Sequence, residues 1–195
     1  MDFRLGEHVT PQQWRAFVDA AVRVVKKESP NTKCVSSLLA SEMDVLQELL
    51  KVPALDGIGL DIYHEYDDFQ TLDKMIRMTQ DAGKFAYIAE TWRSMIAFRD
   101  GVLDFDAIAS VSDPLLGKLD AKWNRAMALY AITRGLQAMT IFWTQPFFAY
   151  YEDQSKWPMV VQKAVLSGAR TPTFYAFKEL SAQYGKPVDC PECAK

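Results

Sequence analysis

The residues from Lys84 to Trp92 read KFAYIAETW. This apolar run follows Gly83 and has the length of a buried parallel strand. Buried strands rarely end in a carboxylate followed by a tryptophan, as this one does at Glu90. In sheets that helices cover on both sides, ligands lie outside the carboxyl ends of the strands. The sequence therefore predicts a catalytic group at Glu90.

Three more apolar runs of similar length occur along the chain. We expect strands at about residues 33–40, 57–63, 84–91 and 138–145. Amphipathic patterns predict helices around them, at about residues 11–28, 42–51, 69–82, 118–134 and 172–184. In the first helix the apolar positions are Trp14, Phe17, Val18, Ala21, Val24 and Val25. Strands that alternate with helices favour an α/β fold with a parallel sheet and right-handed crossovers.

Two architectures fit four parallel strands, an open doubly wound sheet and part of a barrel. The long segments 92–117 and 146–170 both follow strands, whereas the turns after helices are short. That asymmetry is typical of (β/α)8 TIM barrels, and no Gly-x-Gly-x-x-Gly motif follows any strand. We expect one partial barrel over residues 1–185 and a tail over residues 186–195.

The composition is that of an ordinary globular protein. Of 195 residues, 49% are hydrophobic and 24% are charged, and the net charge is −3. This balance argues against nucleic acid and against an anionic membrane surface as partners. The longest apolar stretches have about eight residues, against the roughly 20 that a membrane span needs. The first residues lack the apolar segment of a signal peptide, so we expect the chain as written to be cytoplasmic.

The three cysteines do not predict a metal centre within the chain. Cys34 lies inside an apolar run and is expected to be a small buried hydrophobe. Cys190 and Cys193 have Cys-x-x-Cys spacing, but zinc would need two more ligands, and His8 and His64 are distant in sequence. A tail disulfide, an intersubunit metal site and a disordered end remain open for this pair. We expect no cofactor and no metal.

Three strand ends carry a recognisable pattern: IAETW at 88–92, GLDIYHEY at 59–66 and IFW at 141–143. In their order they resemble the seventh, sixth and eighth strands of the (β/α)8 barrel of retaining glycoside hydrolases, the superfamily that includes cellulases, galactanases and β-glycosidases. The segment from Arg170 to Leu180 resembles the last barrel helix. The resemblance implies that the chain holds only the last four β/α units, a half-barrel.

The resemblance also implies a site at these strand ends. Glu90 matches the nucleophile, and Tyr63 at the preceding strand end is expected to donate a hydrogen bond that keeps the carboxylate ionised. Trp143 matches the tryptophan that floors the sugar subsite in that superfamily. The other residues expected to contact carbohydrate are Asp61, His64, Glu65, Trp92 and Gln145.

One departure from the superfamily pattern bears on activity. Retaining hydrolysis needs a second carboxyl group as acid and base, which the superfamily usually places in an Asn-Glu pair, and this sequence has no Asn-Glu. We therefore expect a glycoside hydrolase-like fragment that is inactive alone and that degrades polysaccharide only when the barrel is completed. The alternative is a catalytically inert carbohydrate-binding or scaffold protein on a decayed barrel. Because half a barrel has bare sheet edges, we expect self-association or a complementary half-barrel as partner.

Overall fold

The computed structural model describes residues 9–63, 68–91, 97–99, 102–104, 113–141, 144–149 and 157–186. The chain divides into two compact units. Unit 1 comprises Met1–Thr91 and Tyr130–Phe142, and unit 2 comprises Trp92–Leu129 and Trp143–Lys195. The predicted site residues Asp61, Tyr63 and Glu90 all belong to unit 1.

Unit 1 is built on a parallel sheet that alternates with helices. Its elements are α1 (Pro11–Glu28), β1 (Val35–Leu39), α2 (Met43–Leu49), β2 (Gly57–Ile62), α3 (Phe69–Asp81) and β3 (Phe85–Thr91). The strands pair in parallel in the order β1-β2-β3. The α/β class that the sequence predicts is therefore confirmed.

The helix ends follow from local chemistry. The Thr10 side chain accepts a hydrogen bond from the Gln13 amide, and the Gln13 side chain accepts one from the Thr10 amide, so a capping box starts α1. The Asp68 carboxylate accepts from two amides at the start of α3. Gly83 has a φ of +72°, a conformation that suits glycine and ends the helix where the sequence predicts.

One face of the sheet is buried and forms the hydrophobic core of unit 1. Its side chains on β2 and β3 are at most 2% exposed, and so are the facing residues of α2 and α3. The strand residues are Ile58, Leu60, Ile62, Ala86 and Ile88, and the helix residues are Leu46, Leu49, Leu72, Met75 and Ile76. Burial of this many large apolar side chains is the main stabilising contribution to unit 1.

The opposite face of the sheet is partly open. Val35 and Ser37 of β1 are exposed, and Phe85 and Tyr87 of β3 are half-buried. Strand β1 pairs with β2 alone among the described strands, which leaves its other edge without a strand partner in this part of the chain. Side chains on this face are available to a ligand or to a further layer.

Helix α1 does not bury all of its apolar positions. Val18 and Val22 are buried, whereas Phe17 is 61% and Val24 is 63% exposed. The Trp14 ring stacks on Phe17 with a centroid separation of 5.3 Å. The exposed stripe suits the association that the sequence predicts, and that association stays a prediction.

The segment after α4 (Asp113–Thr133) extends the sheet only briefly. Met139 forms an isolated parallel bridge with Ile88, and the Thr140 amide donates to the Ile88 carbonyl at 3.0 Å. The prediction of a strand over 138–145 is wrong for the described residues, which form only this isolated bridge, and Gln145 begins a 3-10 helix, Gln145–Phe147. Pro146 gives the reason, since it has no amide hydrogen to donate to a strand ladder.

Unit 2 holds the remaining elements. These are an antiparallel hairpin of β4 (Ala97–Arg99) and β5 (Val102–Asp104), most of α4, the 3-10 helix, α5 (Trp157–Leu166) and α6 (Pro172–Tyr184). The hairpin and α5 lie in the two segments for which the sequence predicted no element. Thr171 caps α6 by accepting from the Phe174 amide, as the Thr171-Pro172 pair predicts.

No helix within the described ranges is both long enough and apolar enough to cross a membrane.

Candidate active site

A β-bulge at the carboxyl end of β3 sets the direction of Glu90. Leu60 pairs with Ile88 and Asp61 pairs with Glu90, so Ala89 is the extra residue. The burial pattern agrees, because Ala89 and Glu90 are half-buried in succession and Thr91 returns to the buried face. Strict alternation would turn Glu90 towards the helices. The bulge turns it to the open face instead, which is what bulges beside active sites commonly do.

The extra residue is held by a side chain from the segment after α4. The Thr140 hydroxyl donates to the Ala89 carbonyl. That segment is itself tied to α3, because Tyr130 donates to the Asp73 carboxylate at 2.7 Å and Arg134 Nη2 does so at 2.9 Å. The bulge is therefore a supported feature of unit 1.

Tyr63 and Glu90 meet across the ends of two neighbouring strands. The Tyr63 hydroxyl donates a hydrogen bond to Glu90 Oε2. A hydroxyl that donates to a carboxylate stabilises its ionised form. The hydrogen bond predicted from the sequence is confirmed.

Asp61 lies beside Glu90 on the same open face. Burial, followed by the negative charges of Glu90 and Glu42, raises the pKa of the Asp61 carboxyl to about 7, against the opposing effect of a hydrogen bond from Ser37. Its Oδ1 atom is buried and has no hydrogen-bond partner among the described residues. An aspartate in these surroundings holds a proton at a pH where an ordinary aspartate has lost it.

Tyr87 completes this surface from the middle of β3. Burial, then the charges of Asp61 and Glu90, raise the pKa of its phenol. Its ring lies across Gly59, where an added Cβ would stand 2.7 Å from the ring carbon Cζ and 2.5 Å from the Ala89 Cβ. Glycine is the residue that permits this close approach.

The structure brings together three of the residues predicted for the site: Asp61, Tyr63 and Glu90. His64, Glu65, Trp92 and Trp143 lie outside the described residues. Gln145 begins the 3-10 helix in unit 2.

Sequence reasoning missed the supporting residues Ser37, Glu42, Tyr87 and Thr140. Tyr87 could have been identified from the sequence, because it lies two residues before Ala89 in the strand whose carboxyl end was already predicted to hold the site. Glu42 and Thr140 are brought to the site by the paths of the segments that carry them, and these paths cannot be predicted from the sequence.

Carboxylates and hydroxyls are the chemical groups of this site. Within the part of the chain that the structure describes, no group of three or more histidine, cysteine, aspartate or glutamate side chains has metal-binding geometry. The arrangement offers two neighbouring carboxyl groups and two phenol hydroxyls, of which that of Tyr63 donates a hydrogen bond to Glu90. Such a set can stabilise positive charge or attack an electrophilic carbon.

No model of a known protein family matches the sequence. No curated protein matches it either. Among solved structures, the chain is similar to the crystal structure of CbXyn10B in native form, a xylanase with a TIM barrel. The identity is 17%, the TM-score is 0.54, and the likeness covers 82% of this chain and 52% of that one. The chain thus spans about half the length of this structure. At this identity the likeness bears on the fold alone, and it supports an α/β fold that forms part of a barrel.

Proposed function

We propose that the chain is the carboxyl-terminal half of a retaining glycoside hydrolase barrel and that Glu90 is its nucleophile. The observation that carries the proposal is the hydrogen bond from Tyr63 to Glu90 at the carboxyl ends of β2 and β3. The bulge at Ala89 supports it, since it turns the carboxylate to the open face of the sheet. The likeness to a TIM-barrel xylanase over half of that chain also supports it.

The chemistry follows from the charge of the carboxylate. In retaining hydrolysis a carboxylate attacks the anomeric carbon, the glycosidic bond breaks, and a covalent glycosyl-enzyme forms, which water later hydrolyses. Glu90 suits the first step, because Tyr63 keeps a negative charge at that position. The substrate class is an O-glycoside, and Trp92 and Trp143 are proposed as flat walls for the sugar rings.

The proposal includes a missing part. A retaining enzyme also needs an acid that protonates the leaving oxygen, and no Asn-Glu pair occurs in the sequence. We therefore expect slow hydrolysis of natural glycosides by the chain alone. The open edge of β1 and the exposed stripe of α1 suit a complementary half-barrel.

A glycosyl trap tests the nucleophile without the missing acid. Dinitrophenolate leaves without protonation, and a fluorine at C2 slows the second step, so the covalent intermediate accumulates. The chain is incubated with 2,4-dinitrophenyl 2-deoxy-2-fluoro-β-xylobioside and with the matching cellobioside. Intact-mass measurement should show the gain of one glycosyl group, and peptide mapping should place it on Glu90.

Two variants control this experiment. Glu90→Gln should abolish the adduct, while Glu179→Gln should keep it, because Glu179 is an exposed residue that pairs with Arg125 in unit 2. An adduct on another residue, or one that survives Glu90→Gln, would remove Glu90 from the nucleophile role. Saturable sugar binding by a folded chain without any adduct would favour the inert carbohydrate-binding alternative.

A further inference from the structure

Asp61 and Glu90 form a carboxyl pair that the sequence could not reveal. They are register partners on neighbouring parallel strands, and the bulge at Ala89 places both on the open face. Without the bulge the partner of Asp61 would be Ala89. The pairing therefore exists because β3 carries one extra residue.

The surroundings of the two carboxyl groups differ. Glu90 accepts a hydrogen bond from Tyr63, which favours its ionised form. Asp61 has one buried oxygen without a hydrogen-bond partner in the described part of the chain. The charged groups that act on Asp61 are the carboxylates of Glu90 and Glu42, Ser37 is its neutral hydrogen-bond partner, and the Tyr87 phenol is the other titratable group on which the charge of Asp61 acts.

We propose that Asp61 and Glu90 hold one proton between them at neutral pH and that Asp61 carries it. Two ionised carboxylates on adjacent strand positions repel each other, and a single shared proton removes that repulsion. The proton resides on Asp61, since Tyr63 stabilises the negative charge on Glu90 and burial disfavours charge on Asp61. Asp61 thereby leaves Glu90 as the single anion of the pair.

The role of Asp61 in the reaction rests on the proposed function. Asp61 acts on a substrate only through Glu90, so it is a positioning residue. If Asp61 were ionised, its charge would favour protonation of Glu90 and reduce the fraction of nucleophile. When the surroundings of two carboxyl groups differ, one group keeps the proton and the other loses it, and active sites generally set an acid and a base in this way.

Carboxyl titration by NMR tests the location of the proton. The chain is labelled with ¹³C at the aspartate and glutamate carboxyl carbons and titrated from about pH 4 to pH 9. We expect one aspartate signal with a midpoint near neutral pH, absent in Asp61→Asn. In Glu90→Gln the same signal should move down by about 1 unit, because the neighbouring charge is gone. Asp81→Asn, at an exposed position at the end of α3, should leave the midpoint in place.

The glycosyl trap adds a functional readout. We expect the dependence of the labelling rate on pH to keep its shape in Asp61→Asn, since asparagine mimics the protonated aspartate. If Asp61 carried a charge, its removal would raise the labelling rate at weakly acidic pH relative to that at pH 8, and this result would overturn the proposal.

An Asp61 midpoint below about pH 5, or one unaffected by Glu90→Gln, would overturn it as well. The titration locates the proton whether or not an adduct forms. Failure of this inference and failure of the proposed function are therefore distinguishable.

Discussion

Asp56 and Asp61 lie at opposite ends of β2, and their surroundings are opposite in sign. Asp56 accepts from the Cys34 amide at 2.8 Å and pairs with Lys26 at 2.7 Å and Lys33 at 3.1 Å. These partners, the Cys34 amide first, hold the pKa of Asp56 well below its usual range. Burial and two neighbouring carboxylates raise the pKa of Asp61 instead. The amino end of β2 brings opposite charges together for stability, whereas its carboxyl end brings two acidic groups together at a cost that a proton on Asp61 relieves.

Lys84 sharpens this contrast at the amino end. Its Nζ is buried and donates to the Val52 carbonyl at 2.8 Å and to the Leu55 carbonyl at 2.7 Å, so it closes the turn between α2 and β2. Burial lowers its pKa. Like-charge strain at one end and satisfied polar groups at the other are typical of functional and structural surfaces, respectively.

The largest effect is expected from Lys84→Met. The substitution keeps the apolar stem but leaves the buried Leu55 carbonyl without its donor and takes one of two donors from the Val52 carbonyl, which still accepts from the Leu55 amide. An unsatisfied buried group costs about 1–3 kcal/mol, and we expect a loss of roughly 3 kcal/mol in total. Denaturant unfolding monitored by circular dichroism measures the change. Lys74→Met at an exposed position of α3 should lie within about 0.5 kcal/mol of the parent chain. Equal stabilities of the two variants would break the contrast between the strand ends.

Asp61→Asn should act in the opposite direction at the carboxyl end. The folded pKa of about 7 lies above the unfolded value of about 3.9, so the folded chain binds the proton more tightly. The contribution of Asp61 to stability is then fully present below about pH 4 and is lost as the pH rises towards 7. Asparagine removes this loss, so the variant should be more stable by about 2 kcal/mol at pH 8 and unchanged near pH 4. Unfolding at both pH values measures the difference, and destabilisation at pH 8 would contradict the assignment.

Tyr63→Phe should weaken the site with little effect on the fold. It removes the hydroxyl that donates to Glu90, a charged hydrogen bond of about 1.5 kcal/mol, which corresponds to roughly tenfold in rate. The rate of glycosyl labelling of Glu90 measures it. Tyr184→Phe, at an exposed position at the end of α6, should label at the parent rate. A Tyr63→Phe chain that labels as fast as the parent would remove the hydroxyl from the mechanism.

The smallest effect is expected from Asp56→Asn, at about 1 kcal/mol near neutral pH. The amide oxygen of asparagine can still accept from the Cys34 amide, while Lys26 and Lys33 lose their oppositely charged partner. The folded pKa of Asp56 is depressed, so its contribution is present above about pH 4 and is lost as the pH falls below it. The free energy of unfolding of the variant should therefore fall less steeply with decreasing pH than that of the parent chain. An equal loss of stability at low pH in both chains would show that other carboxylates cause that loss.

The sequence predicted most of unit 1 because its signals are local. Thr10 and Gly83 mark helix ends by their own chemistry, and the continuous apolar runs of β2 and β3 indicate the strands. In unit 2 the hairpin and α5 escaped prediction. The apolar pattern of α1 identified a helix but did not indicate that Phe17 and Val24 would lack a cover in this chain. Hydrophobic periodicity identifies the apolar face of a helix, but which residues pack against that face depends on the tertiary structure.

The site was predictable in part. Glu90 and Tyr63 stand out because strand ends are where ligands bind, and the hydrogen bond between them follows from their neighbouring strands. The Asp61–Glu90 pair was not predictable, since alternation alone gives Asp61 the partner Ala89. A bulge depends on pairing between distant segments, and Thr140, which satisfies the Ala89 carbonyl, lies on a different segment of the chain.

The bulge makes the site depend on residue number as well as residue type. Deleting Ala89 would keep every functional side chain, yet it would swing Glu90 into the apolar layer beneath the helices and bring Thr91 to the surface. A single-codon deletion would then act more severely than many substitutions of the acid itself. Selection would then act on the number of residues between Tyr87 and Glu90 as strongly as on the glutamate itself.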